Sequence, residues 1–380
     1  MRIAMGLIAV ASLIALATPG APQESSRATQ LRDQGLASAQ QKDWNRALDL
    51  LNQAQKLAPE DSSIMYSLGT VHESAGEALP AIGWLRAYLQ AEPDGRFASK
   101  VALEITRLRT ELRGDADRIF THAERAAAEI DQSTPRGAMG FAFAMGDIAH
   151  AQVDAGSYGQ AYDTAARAKM SPEDRDYFED HILTSQASVA ALKGNFDAAA
   201  RLLPQIKHLG FAVGGVALYV TGIPPPSGSA YPGPKDYEDH SFGDPHPVFW
   251  SHVEREMSEL PCWRVDEALA KQAHARVQED LQELPPYSGW MGNNVSRGPT
   301  DRDVVHACAR MSAVERWINF AETVCDNGKQ CSVTAAAQEA ASEGEIGTIA
   351  SRLSTLGRDI GQKLLDFDVL DARTSGRTGK

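Results

Sequence analysis

The sequence predicts an all-α fold in which a solenoid of helical hairpins is followed by a disulfide-bonded helical domain. Three observations support this prediction. Apolar residues recur at intervals of three and four along most of the chain, as one face of a helix requires. A set of landmark residues near the N-terminus is repeated further along the chain. All of the cysteines lie in the last third, and their number is even.

The N-terminus has the pattern of a secretory signal peptide. Arg2 precedes an apolar run from Ile3 to Ala17, and small residues that suit cleavage follow it. The run is shorter than the roughly 20 residues that an apolar helix needs to span a bilayer. We therefore assign residues 1–22 to a signal peptide, with an uncleaved anchor or a mere apolar leader as the alternative. Export to the periplasm or the medium follows, with no stable membrane span after cleavage.

The composition is typical of a globular protein and excludes one class of partner. Apolar residues make up 43% of the 380 residues and charged residues 23%. The formal net charge is −13 and the pI is near 5.3, whereas binding to a phosphate backbone requires a basic stripe. We therefore expect no nucleic acid among the partners of this chain.

Two successive segments share their landmarks at a separation of 34 residues. The recurring pairs are Gly35 and Gly69 (69 − 35 = 34), Ala47 and Ala81, Leu51 and Leu85, and Pro59 and Pro93. Small residues allow two helices of a hairpin to approach closely, and leucines fill the space between hairpins. Proline ends the second helix because it has no N–H to donate. The pattern predicts a repeated helix–turn–helix unit.

These landmarks resemble the tetratricopeptide repeat (TPR) family, whose unit is a 34-residue helical hairpin. Looser units carry the turn sequences "GSYGQA" and "GNFDAA", and between the two sets we predict two helices broken at Gly114. The resemblance extends over residues 26–208, with an irregular helical bundle as the alternative.

The resemblance also implies a binding groove, which the first helix of each TPR unit lines. Residues at the matching positions are Arg32, Leu36, Tyr66, Thr70, Glu73 and His150. Some family members grip a C-terminal carboxylate with a Lys/Asn pair at two of these positions. That pair is absent here, so the resemblance does not imply their function. The alternative is that the C-terminal domain covers these side chains.

The remainder of the chain divides by composition. Residues 209–247 combine an apolar stretch at 209–223, which we expect to cap the repeats, with a Pro/Gly-rich linker. Helical spacing then returns in a C-terminal domain at 248–370, and a disordered tail is expected at 371–380.

Four cysteines allow three disulfide pairings. The short loop "CDNGKQC" favours a bond between Cys325 and Cys331, because Asn327-Gly328 can form the tight turn that it requires. Cys262 and Cys308 would then pair with each other. A zinc site is the alternative, although the spacing is irregular and no CxxC pair is present.

The sequence contains no recognised catalytic motif. It has no G-x-S-x-G, no phosphate-binding G-x-x-x-x-G-K-[ST] and no HExxH. His240, His246 and His252 could bind a metal, but Pro245 and Pro247, which flank His246, favour an extended loop with diverging side chains. We therefore expect no enzymatic activity, no cofactor and no metal.

Together these features predict a non-enzymatic scaffold or adaptor that binds a segment of another protein outside the cytoplasm. The alternative is that the repeats position a C-terminal enzymatic or metal-binding module.

Overall fold

The computed structural model describes residues 21–193, 311–325, 331–342 and 344–375, together with residues 195, 198, 201–202 and 205–207. The described residues form α-helices and include no strand, which confirms the all-α prediction. The helices are α1 (Ala21–Gln40), α2 (Trp44–Leu57), α3 (Ser62–Ser74), α4 (Ala78–Ala91), α5 (Ala98–Ala128), α6 (Pro135–Asp154), α7 (Tyr158–Arg167), α8 (Pro172–Leu192), α9 (Ala313–Thr323), α10 (Val333–Ala340) and α11 (Ile346–Ser375).

Helices α1 to α4 form two successive hairpins. The side chain of Asp43 accepts a hydrogen bond from the backbone of Arg46 at the start of α2, and Asp61 accepts one from Ser63 at the start of α3. Helix α2 ends at Leu57, before Pro59, as the sequence predicts. Local signals thus define where α2 and α3 begin and where α2 ends.

The same close contact holds each of these hairpins together. A Cβ atom added to Gly35 would lie 2.9 Å from Cγ of Leu51, and one added to Gly69 would lie 2.7 Å from Cγ of Leu85. The two pairs have the same separation in sequence (51 − 35 = 16 and 85 − 69 = 16). The recurring glycines therefore occupy positions where a larger side chain would push the leucine and its helix away.

Helix α5 differs from its predicted form. It runs without a break from Ala98 to Ala128 and passes through Gly114, so the predicted pair of helices broken at this glycine is wrong. Leu112 and Ala116 are fully buried on either side of Gly114. Their packing outweighs the roughly 1 kcal/mol that a glycine costs inside a helix.

The C-terminal helices share one hydrophobic core with the N-terminal ones. A Cβ added to Gly83 of α4 would lie 2.7 Å from Cβ of Ala321 in α9. A Cβ added to Gly357 of α11 would lie 2.9 Å from the Phe120 ring of α5. Helix α9 therefore packs on α4, and α11 packs along α5 and α6.

A partly buried arginine reinforces this junction. The guanidinium of Arg86 in α4 lies 5.9 Å from the ring centroid of Trp317 and 5.7 Å from that of Phe367. It also pairs with Asp371 at 2.5 Å, and burial lowers the pKa of Arg86. Cation–π contacts and a partly buried ion pair thus join α4 to α9 and α11.

The end of α11 corrects part of the predicted tail. Residues 371–375 are helical and continue α11 to Ser375. Thr374 is buried, and its hydroxyl accepts a hydrogen bond from Nε1 of Trp317 at 3.2 Å. This anchoring explains why the helix continues beyond residue 370. Residues 376–380 lie outside the described part of the chain.

Between α9 and α10, Cys325 and Cys331 form the predicted disulfide, with their Cα atoms 5.6 Å apart. Several other predictions concern residues that the structure does not describe, namely the signal peptide up to residue 20, the segment 209–247, the pairing of Cys262 with Cys308 and the histidines 240, 246 and 252. Among the described helices, none combines the length and apolarity that crossing a membrane requires.

Candidate functional site

Side-chain contacts link α1 to α3, and α3 to the start and the middle of α5; we term the side of these helices that carries them the groove face. It consists of Arg32, Leu36, Ser63, Tyr66, Thr70, Glu73, Phe97, Glu104 and Arg107. Five of the six residues predicted to line a groove belong to it, namely Arg32, Leu36, Tyr66, Thr70 and Glu73.

Two contacts at equivalent positions of the repeat connect neighbouring helices of the groove face. Nη1 of Arg32 in α1 donates a hydrogen bond of 2.7 Å to Oγ of Ser63 in α3, 31 residues later. Tyr66 in α3 stacks on Phe97, the residue that precedes α5, with centroids 4.9 Å apart and an angle of 10° between the rings (97 − 66 = 31). The same sequence offset thus produces the same neighbour relation twice, as expected for stacked hairpins.

Leu36 and Thr70, two further predicted residues of this face, have local roles. Leu36 is half-buried and packs against the core. Thr70 is also half-buried, and its Oγ1 donates a hydrogen bond of 3.0 Å to the carbonyl oxygen of Ser67. These contacts are with the core and within α3, respectively.

A cluster of charges marks the end of the groove face where α3 meets α5. Arg107 donates hydrogen bonds to Glu73 at 2.7 Å, to Glu111 at 2.6 and 2.7 Å, and to Glu104. Three carboxylates thus surround a single guanidinium, and two of them, Glu104 and Glu111, raise its pKa. Because these bonds are exposed to solvent, the cluster contributes little to stability but gives this end of the face a negative charge.

Within this cluster the Glu73 carboxyl titrates near neutral pH. Burial and the neighbouring Glu104 raise its pKa from 4.5 to about 7, although Arg107 opposes the shift. The hydrogen bond from Arg107 lowers the pKa of Glu104. The charge of the groove face therefore becomes more negative as the pH rises through about 7.

Replacing Glu73 with Gln is expected to raise the melting temperature at pH 8 and to leave it almost unchanged at pH 4. The folded protein holds a proton that the unfolded chain releases above pH 4.5, so the contribution of Glu73 to stability is fully present below 4.5 and is lost as the pH rises through about 7. Thermal unfolding of both proteins across pH 4–9 measures this difference. Glu111→Gln, on the same arginine but more exposed, is the control. An equal effect of Glu73→Gln at both pH values would contradict the raised pKa of Glu73.

The sixth predicted residue, His150 in α6, lies against α8. Its Nδ1 is 2.8 Å from Nδ1 of His181, and its ring meets the edge of Phe178 with centroids 5.2 Å apart. Nε2 of His181 lies 3.1 Å from Oδ1 of Asp154. His150 therefore belongs to a pair of histidines oriented by a carboxylate. Its contacts with His181 and Phe178 join α6 to α8.

The two Nδ1 atoms of this pair are close enough to be joined by one hydrogen bond. The ring centroids are 5.0 Å apart with 29° between the planes, so the two Nδ1 atoms meet nearly edge to edge. One nitrogen must donate and the other accept, because two imidazolium rings would repel each other. Burial and His181 accordingly lower the pKa of His150. In the described ranges, no three His, Cys, Asp or Glu side chains are grouped so that they could hold a metal ion.

A depression of about 530 Å³ lies at the turn between α6 and α7. Its lining includes Arg113 and Asp117 from α5 and the turn residues 156–160. Arg113 donates to the carbonyl oxygen of Ala155 at 3.0 Å, and Asp117 accepts from Ser157 at 3.4 Å. These charged groups thus hold the turn against α5, and we assign them a structural role.

Three groove-face residues at or within α5 were not predicted from the sequence, namely Phe97, Glu104 and Arg107. The repeat offset predicts two of them, because Phe97 follows Ser63 by 34 residues and Arg107 follows Glu73 by 34. The incorrect prediction of a break at Gly114 obscured this continuation of the repeat into α5.

Comparisons of this sequence with protein-family models, with curated proteins and with solved structures found no match.

Proposed function

We propose that this protein is a non-enzymatic scaffold or adaptor of the TPR type, whose groove face binds a segment of another protein outside the cytoplasm. The observation that carries the proposal is the repeated contact between first helices of successive hairpins, in which Arg32 meets Ser63 and Tyr66 meets Phe97. Side chains held in this way present a preorganised surface, which lowers the entropic cost of binding an extended or helical segment.

The chemistry of the groove face suggests what kind of segment it binds. Tyr66 and Phe97 offer half-buried aromatic surface, and aromatic residues are enriched among those that dominate binding energies. Glu73, Glu104 and Glu111 place negative charge at one end of the face, and the whole chain carries −13. A segment with an apolar anchor and basic residues complements these features.

Two features support a location outside the cytoplasm. The first 22 residues have the pattern of a signal peptide. In addition, Cys325 and Cys331 form a disulfide, and such bonds persist mainly in oxidising compartments. We propose that the second pair, Cys262 and Cys308, is also oxidised, so that the chain carries two disulfides.

Replacing both Arg32 and Tyr66 with Ala is expected to weaken binding of the partner at least about tenfold, because a lost aromatic anchor alone costs about 1.4 kcal/mol or more. The full-length protein serves as bait in a cross-linking pull-down from its host. Affinity for synthetic peptides tiled across the captured protein is then measured for both forms. Retention of full peptide affinity by the double variant would show that the groove face is not the binding surface.

The matched control replaces one arginine and one tyrosine on second helices of hairpins, Arg46→Ala in α2 with Tyr162→Ala in α7. Both residues are exposed in the structure. This variant is expected to bind the same peptides with unchanged affinity. Circular dichroism of both variants separates loss of the binding surface from loss of the fold.

A further inference from the structure

The N-terminal half of α6 is an apolar helix segment with one exposed apolar side. Residues 135–144 read "PRGAMGFAFA", with one charged residue, and not one of the ten is buried. Met139 and Phe143, one helical turn apart and therefore on one side of the helix, are 60% and 66% exposed. Two large apolar side chains exposed side by side on a nearly uncharged helix indicate a surface that has a binding partner.

The lengths of the neighbouring helices explain why this half lacks a partner. Helix α6 has 20 residues and α7 has 10, so at 1.5 Å per residue α7 extends along only about 15 of the roughly 30 Å of α6. Met170, which follows α7, lies close to Gly146 in α6. The part of α6 that α7 covers therefore ends near Gly146.

Helix α8 leaves the same half uncovered. His150 contacts Phe178, and Asp154 contacts His181, so α8 runs parallel to α6. Pro172 begins α8 six residues before Phe178, which places the start of α8 level with residues near 144 of α6. Phe143 and Met139 therefore lie at and beyond the ends of both neighbouring helices.

The chain that follows α8 starts beside this surface. The backbone N–H of Lys207 donates to Oδ1 of Asp180 at 2.9 Å, and its Nζ donates to Asp176 at 3.0 Å. These bonds hold Lys207 against the first half of α8, about 10 Å along α6 from Phe143. Three or four extended residues cover such a distance.

The sequence immediately after Lys207 has the matching chemistry. Residues 209–223 read "LGFAVGGVALYVTGI", with no charged side chain. An apolar run of this kind gains free energy by leaving water, as does the exposed side of α6. The run begins two residues after the anchored lysine, so its local concentration at α6 is high.

We infer that residues 209–223 of this chain bind the Met139–Phe143 side of α6 and cover it. This contact is intramolecular and separate from the groove face, so it does not depend on the partner proposed above. It would complete the cover of α6 that the short α7 leaves unfinished.

A photocrosslinking amino acid placed at position 143 or 139 of the full-length protein tests this inference. After irradiation and tryptic digestion, mass spectrometry is expected to find the probe joined to the peptide that contains residues 209–223 of the same molecule. The control places the probe at Leu103 of α5, which is 74% exposed, and is expected to give no crosslink to that peptide.

The other results of this experiment each overturn the inference. Mixing isotopically labelled and unlabelled protein distinguishes a crosslink to a second copy, which would assign the surface to self-association. A crosslink to another segment, or no crosslink at either position, would also refute it.

A second measurement does not depend on the probe. Phe143→Asp is expected to speed amide hydrogen exchange within residues 209–223, whereas Leu103→Asp is expected to leave that exchange unchanged. Because residue 143 is exposed, the substitution leaves the described core in place. Unchanged exchange in the Phe143→Asp variant would contradict the inference.

Discussion

Truncation after Glu345, which removes α11, is expected to abolish cooperative unfolding of the whole protein. Five large side chains of this helix are buried, namely Leu353, Ile360, Leu364, Phe367 and Leu370. At about 2 kcal/mol for each buried apolar side chain, their burial contributes on the order of 10 kcal/mol. Typical domains are stable by only about 5–15 kcal/mol, so α5 and α6 cannot remain packed after this loss.

Circular dichroism during heating and hydrogen exchange within α5 measure the outcome of the truncation. Removal of residues 376–380, which leaves α11 complete, is the control and is expected to unfold as the full-length protein does. A truncated chain that still unfolds cooperatively, with α5 protected from exchange, would show that α11 is not needed by the core it joins.

Gly361→Val is expected to destabilise the protein by about 3 kcal/mol. A Cβ atom at this position would lie 2.3 Å from Cβ and 2.7 Å from Cα of Ala155 at the end of α6. The backbone of Ala155 cannot move aside as a flexible side chain could, so α11 must shift away from α6. Overpacking of a core commonly costs about 1–3 kcal/mol, and a contact with the backbone belongs at the upper end of this range.

Urea unfolding of the variant and of a matched control measures this effect. Gly347→Val changes the same residue type in the same helix, at a position where an added Cβ meets no atom within 4 Å. The control is expected to change the free energy of unfolding by less than about 1 kcal/mol. Equal values for the two variants would mean that α11 does not approach α6 as closely as the structure shows.

The first four helices could be predicted because their signals are local. Gly35 contacts Leu51 only 16 residues away (51 − 35 = 16), and Asp43 and Pro59 mark the limits of the helix between them. A pattern that repeats every 34 residues, such as Gly35 and Gly69, then makes the next hairpin predictable as well. Short-range contacts of this kind leave a period that can be read from the chain.

The contacts among α1, α3 and α5 could be predicted only in part. The repeat places Arg32, Tyr66 and Glu73 on one side of their helices, whereas it did not predict their neighbours Phe97 and Arg107. The error arose because a glycine inside a helix is a weak signal. Its cost of roughly 1 kcal/mol is smaller than the gain from burying the residues around it.

Helix content, the small residues at helix crossings and the caps at helix ends were thus encoded in the sequence, because each depends on residues close together along the chain. The packing of α9 on α4 and of α11 on α5 and α6 could be seen only in the folded molecule. These contacts join residues such as Gly83 and Ala321, or Arg86 and Phe367, which are far apart in sequence. Such pairs produce no repeating pattern in the sequence, since they depend on the match of two surfaces in shape and charge.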